Sequence, residues 1–220
     1  MAAVKLFQTL GFRVRLADLG CCGRPLISAG LLGKAKAQSN ELVSRLKVFH
    51  PEVPIVVLEP SCYSTLKDDY LDLVDDKEGA RAVADRVFTV EEILSQDQIK
   101  TRFEQLEWAG PKGILFHGHC QQKALTGSGK SIQILSQVSN VEEVPDGCCG
   151  MAGSFGYEKA HYDLSEKIGA HHLLPAVCSS DAETAVVVPG FSCRSQIRHF
   201  TGRQAVHPAE VLYQSLKKNS

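Results

Sequence analysis

The chain writes the same corner twice: Cys21-Cys22-Gly23 within "DLGCCGRPLISAG" and Cys148-Cys149-Gly150 within "PDGCCGMAGSFGY", 127 residues apart. Adjacent cysteines seldom bond to each other, because the eight-membered ring they would close is strained. A touching pair of thiols made twice asks for another partner. Aligning the corners extends the match on both sides. The first copy reads "VKLFQTLGFRVRLADLGCCG", a helical stretch and "VPIVVLEPSCYSTL". The second reads "IQILSQVSNVEEVPDGCCG", a helical stretch and "TAVVVPGFSCRSQI". From the second cysteine of a corner to the next matched one is 40 residues from Cys22 to Cys62, and 44 from Cys149 to Cys193. This is a tandem duplication of one α/β unit, with a period too long for a solenoid. The expected division is 1–110 for the first unit with a helical connector, and 111–220 for the second.

The fold class expected is α/β: duplicated units with short, mostly parallel sheets flanked by helices. A helix over 28–50 carries Leu31, Leu32, Ala35, Leu42, Leu46 and Phe49 as its apolar stripe and stops before Pro51. Its counterpart over 157–174 carries Ala160, Leu164, Ile168 and Leu173. The runs 55–58 and 185–188 are uninterrupted apolar segments, as parallel strands covered on both faces require. A further strand over 113–116 delivers "HGHC" to its end. In the charged stretch 75–110, Thr89 is placed to cap a short helix with Glu92 behind it. Ligands of open α/β sheets gather at the carboxyl ends of the strands. Each paired cysteine follows a predicted strand, so duplication sets thiols along one rim. Gly23 and Gly150 let the chain turn sharply beside a bulky centre.

Eight cysteines need an explanation that depends on the compartment. The N-terminus "MAAVKLFQTLGFRV" spaces its apolar residues at helical period and has no signal-peptide layout. No apolar run approaches the ~18–20 residues of a membrane span. Net charge is −1 with no long basic run, so neither nucleic acid nor an anionic membrane surface is an expected partner. A cytoplasmic, reducing setting follows, and there cysteines point to metal or redox chemistry rather than a disulfide framework.

In the second unit Cys120, Cys148, Cys149 and Cys193 come from three separate strand ends. Four thiolates suit a [4Fe–4S] cluster, and they also suit tetrahedral zinc. Two adjacent cysteines reach one small ion only with strain, whereas a cluster several ångströms across offers them separate irons. Geometry therefore favours iron–sulfur, with zinc as the alternative. The first unit offers Cys21, Cys22 and Cys62, and the counterpart of Cys120 would precede Met1. The expectation is a C-terminal piece of a longer polypeptide, or an incomplete first site. His117 and His119 flank Cys120 as a ligand or hydrogen-bond donor to a cluster sulfur. Arg194, Arg198 and His199 follow Cys193 and could hold an anion or offset cluster charge. His161, His171 and His172 are expected at the surface or in packing, and Cys178, outside the repeat, as a buried free thiol. No spacing suggests a Ser–His–Asp or paired-carboxylate site.

The segments "DLGCCGRPLISAG", "LEPSC", "DGCCGMAGSFG" and "GFSCRSQIRH" resemble the cysteine-rich CCG domain. That domain occurs in heterodisulfide reductase and in the iron–sulfur subunits of glycolate oxidase and anaerobic glycerol-3-phosphate dehydrogenase. "CCGMAGSFGYEKAHYDLS" with "HPAEVL" is most similar to the C-terminal region of FAD-linked dehydrogenases for D-lactate or D-2-hydroxyglutarate. The resemblance implies an iron–sulfur or zinc site receiving electrons from FAD in a domain absent here. Flavin and ferredoxin-like domains would lie upstream or in a partner protein, with a further electron acceptor downstream. It implies location in the cytoplasm or at the inner face of the membrane, and no activity for the chain alone. Thr65 and Gln196 stand where the family's Cys-x-x-Cys would place its last cysteine. That departure argues against a five-cysteine cluster and leaves a four-cysteine site at Cys120, Cys148, Cys149 and Cys193. For Cys21, Cys22 and Cys62 the resemblance implies only a potential ligand role.

Overall fold

The computed structural model describes residues 1–145 and 147–217, so Asp146 of the second corner lies outside the described residues. The chain divides into two compact units, Arg15–Val90, and Met1–Val14 together with Glu91–Ser220.

The unit Arg15–Val90 holds a two-stranded parallel sheet of β1 (Ile55–Val56) and β2 (Val87–Phe88), with Ile55 opposite Val87. The predicted strand over 55–58 thus keeps only its first two residues. The helix expected over 28–50 is broken into Arg24–Ser28 and Leu32–Lys47. Gly30 lies between them at φ 72°, a left-handed turn that no helix can continue through. Leu31 and Leu32, placed on the apolar stripe, are 46% and 55% exposed. The buried face is Ala35, Ser39, Leu42, Val43 and Leu46, packed with Tyr63, Leu66 and Tyr70. Those last three come from one helical run, Pro60–Ser64, which passes through a π turn, Thr65–Asp69, into Tyr70–Leu73.

The other unit carries a four-stranded parallel sheet of β3 (Gly113–Phe116), β4 (Val141–Glu143), β5 (Thr184–Val187) and β6 (Ala205–Val206), in the order β4-β3-β5-β6. Leu115 faces Val186 and Phe116 faces Val187 in the central register, and all four side chains are buried. Helices cover both faces, as such apolar strands require. The strand over 113–116 stands where the sequence put it. The helix over 157–174 does not: a 3-10 turn, Phe155–Tyr157, precedes the helices Tyr162–His171 and Leu173–Ser179. Leu164 is 51% exposed, while Ser165 and Gly169 are buried. The reason is the corner itself. A Cβ on Gly150 would run into the Ser165 carbonyl oxygen, and one on Gly169 would lie 3.1 Å from the Cys149 carbonyl. Backbones meet there, and only small side chains fit between them.

Sheet order also explains why, among the described residues, no strand precedes the first corner. In the second copy the strand before the corner is β4, and β4 pairs with β3 alone. The first copy's described residues include no counterpart of β3, so its extended segment before Cys21 has no ladder to join. Among the described residues no helix is long and apolar enough to cross a membrane.

Candidate metal centre

Each thiol of the second corner is delivered by a strand end. After β5 the chain passes Pro189 and Gly190 into the helix Phe191–Thr201, with Cys193 in its first turn, where the helix dipole favours an anionic sulfur. After β3 come His117, Gly118 and His119, then Cys120 at the head of the helix Cys120–Leu125. After β4 the loop turns at Gly150, φ 90°, leaving Cys148 and Cys149 beside the other two. The sulfurs of Cys149 and Cys193 lie 3.1 Å apart. Cys148 lies close enough to Cys120 and to Cys149 for each to influence its ionisation. The backbone N–H of Gly150 donates to the Cys148 sulfur at 3.3 Å. All four cysteines named from sequence are therefore in one contiguous group, from exposed Cys120 to buried Cys149 and Cys193.

Protons are shared unevenly along the group. Hydrogen bonds from Cys120 and then Cys149 hold Cys148 far below the ordinary thiol range. The Cys149 hydrogen bond lowers Cys193 to about 5, with a further hydrogen bond from His117. Cys120 and Cys149 are pushed up, each chiefly by sharing its proton with Cys148. Shared protons of this kind ease the deprotonation that metal binding requires.

The two histidines lie inside the site. His117 is 1% exposed and its Nδ1 has no hydrogen-bond partner, although the ring reaches Cys193. His119 is also buried, and its Nδ1 accepts from the Gln121 backbone N–H at 3.3 Å, capping the helix that carries Cys120. Gly190 makes room for that ring: a Cβ there would collide with His119 Cδ2. Arg194 donates to the carbonyls of Val188 at 2.9 Å and Pro189 at 2.6 Å, so it fixes the end of β5. His199 accepts from or donates to the Tyr162 hydroxyl at 2.6 Å, and His161 stacks on Phe155 at 4.0 Å. Cys178 is exposed, against the expectation of a buried thiol. It sits on the outer side of Leu173–Ser179, whose inner side is Leu173, Leu174 and Val177.

A contribution that spacing did not reveal comes from Gln196. It is buried, and its side-chain N–H group donates to the Ser165 hydroxyl at 3.1 Å and the Ser165 carbonyl at 3.3 Å. It thus ties the helix bearing Cys193 to the helix packed under Gly150. Its sequence signal was its place, three residues after Cys193. Thr65, in the matching place after Cys62, donates instead to the Ser61 carbonyl within its own helix at 2.9 Å.

The first corner repeats half of this geometry. The Cys22 and Cys62 sulfurs lie 3.1 Å apart, and the Gly23 N–H donates to the Cys21 sulfur at 3.4 Å. Gly23 has φ 83°, and the Tyr70 hydroxyl donates to the Cys22 carbonyl at 2.8 Å. Hydrogen bonding from Cys62 lowers Cys22 to about 6, and Cys62 is correspondingly raised. Among the described residues the group has Cys21, Cys22 and Cys62 and no fourth thiol.

The second corner offers four thiols, a donor set that suits an iron–sulfur cluster or a single zinc. Two sulfurs on one zinc, with bonds of about 2.3 Å, stand about 3.8 Å apart. The Cys149 and Cys193 sulfurs, 3.1 Å apart, are nearer than that. Thiolates on separate irons of a cluster stand farther apart still, so either group would spread the sulfurs on binding. Among the described residues no three His, Cys, Asp or Glu side chains are arranged to hold one metal ion. Four thiols and an unpaired buried imidazole nitrogen nevertheless match the donor set of an iron–sulfur cluster and a hydrogen bond to it.

An α/β unit that gathers strand-end thiols, made twice over, defines the class: a duplicated cysteine-rich domain. The chain belongs to the CCG cysteine-rich domain family, whose model matches residues 1–67 and 114–198. It is 26% identical over 219 residues to one of the subunits of anaerobic glycerol-3-phosphate dehydrogenase from Escherichia coli K12, covering 97% of this chain and 54% of that protein. It is 28% identical over 218 residues to D-2-hydroxyglutarate dehydrogenase of Pseudomonas putida KT2440, covering 97% of this chain and 20% of that enzyme. The Haemophilus influenzae D-2-hydroxyglutarate dehydrogenase is 26% identical over 228 residues, with 97% and 21% covered. The chain thus spans about half the length of the first of these relatives and about a fifth of the others. No solved structure matches it.

Proposed function

We propose that this chain is the electron-relaying iron–sulfur part of a flavin-linked oxidoreductase acting on a 2-hydroxy acid or a related alcohol. The observation that carries the reading is the meeting of Cys120, Cys148, Cys149 and Cys193 from three strand ends within one unit. Those four would hold a [4Fe–4S] cluster, which when bound supplies one-electron transfer. Cys193 and Cys149 provide its buried side and Cys120 its exposed side, so electrons would leave or arrive past Cys120. His117, whose ring reaches Cys193, would hydrogen-bond to the bound group there and raise its potential. His119 and Arg194 hold the strand ends, and Gln196 holds the two helices beneath.

The dehydrogenase names of the relatives support an oxidoreductase setting. FAD and substrate oxidation would belong to a domain or protein outside this chain, with ferredoxin-like clusters between it and this one. The cytoplasm, or the inner face of the membrane, suits free thiols. Residues 1–110 and 111–220 would be the two copies of the duplicated unit. The test is anaerobic purification with metal analysis. A brown protein absorbing near ~400 nm, with about four iron and four acid-labile sulfides per chain, is the expected result. A colourless protein holding stoichiometric zinc would replace this reading with a structural or docking module.

A further inference from the structure

We propose that Cys22 and Cys62 form a reversible dithiol–disulfide pair, so that the first corner is a thiol–disulfide exchange site for small or protein disulfides rather than a second metal centre. The two sulfurs already touch at 3.1 Å across 40 residues of chain, and a disulfide of about 2.05 Å needs them only about 1 Å closer. The same distance separates Cys149 and Cys193, but their surroundings differ. The second pair is joined by Cys120, Cys148 and the buried His117, all suited to hold metal. The first has one additional thiol, Cys21, which is exposed and hydrogen-bonds to Cys22. Three residues before Cys62 stands Glu59, whose negative charge makes a Cys62 thiolate costlier.

The chemistry balances with an external disulfide as oxidant. The exposed Cys21 thiolate attacks one sulfur of R–S–S–R, forming Cys21–S–S–R and releasing RS⁻. The Cys22 thiolate then attacks the Cys21 sulfur and expels the second RS⁻. The resulting bond between neighbours is strained. Cys62, passing its proton to a released RS⁻, relieves it by attacking the Cys22 sulfur, which frees Cys21 and leaves Cys22–S–S–Cys62. Two electrons pass to the external disulfide, and the protons of Cys22 and Cys62 leave with the two RS⁻ groups as thiols.

The experiment uses the full chain, reduced and desalted anaerobically, then held in graded mixtures of reduced and oxidised glutathione. Alkylation with N-ethylmaleimide, intact mass and peptide mapping read the thiols, with iron and zinc measured on the same samples. Expected is a loss of about 2 Da from a Cys22–Cys62 link, with Cys21 still alkylated, reversed by excess reduced glutathione. Cys21→Ser should slow the link at least about tenfold and leave its position unchanged. Cys22 and Cys62 staying fully alkylatable at the most oxidising mixture would overturn the proposal. So would protection of Cys21, Cys22 and Cys62 by an added metal equivalent that Cys22→Ser abolishes. Failure of the cluster reading would show separately, as missing iron at the second corner.

Discussion

The two corners share a backbone and differ in what surrounds it. Both turn at a left-handed glycine, both give its N–H to the first sulfur, and both hold the second sulfur 3.1 Å from a thiol one strand away. Among the described residues, the second has a strand, β3, running up beside that thiol's own strand, and β3 brings Cys120, His117 and His119 with it. One strand therefore separates a group of four thiols and two imidazoles from a group of three thiols. Duplication copied the corner, and sheet order decided how much chemistry each copy could collect.

The largest test of this contrast is metal content. Cys149→Ser or Cys193→Ser should cut iron retained per chain at least about tenfold, because each removes a ligand at the buried side. Cys22→Ser should leave iron unchanged. Equal loss from both corners, measured by metal analysis, would erase the distinction.

Glycine substitutions give the next effect. Gly150→Ala adds a collision with the Ser165 carbonyl to the cost of a left-handed alanine, and should destabilise by about 3 kcal/mol or more. Gly23→Ala has the same backbone cost, but its nearest neighbour is 3.8 Å away, so about 1–2 kcal/mol is expected. Denaturant unfolding of both variants checks the ratio. Smaller still, Gln196→Ala should cost about 1–2 kcal/mol by leaving the Ser165 groups without their donor. Thr65→Val, losing one bond within a helix, should cost about 0.5–1 kcal/mol. At the bottom of the scale is Arg24→Ala. Its ion pair with Asp69 at 2.7 Å is partly exposed, and losing it should cost no more than about 1 kcal/mol, shrinking with added salt.

Much of this was readable in the chain, and the misreadings have physical causes. Gly113–Phe116 was legible because three large apolar residues bounded by glycine and histidine suit a central strand and little else. The thiol group was legible because duplication marks which cysteines belong together. The helix over 28–50 misled because Leu31 and Leu32 continue its apolar period through Gly30, and periodicity does not register a left-handed φ. Leu164 misled in the opposite way. The face pressed against the corner has room only for Ser165 and Gly169, and small residues carry no hydrophobic signal. Cys178 followed the general habit of free cysteines to be buried, but lies on the outer side of its helix. Gln196 could be seen as a missing cysteine, yet its partner Ser165 lies 31 residues away and no local pattern connects them.

Position 190 has a consequence of its own. With hydrogen as its whole side chain, it leaves a gap that the His119 ring fills, while the aligned place in the other copy is Glu59. A single missing methyl thus works as a keyhole that admits an imidazole to the second corner.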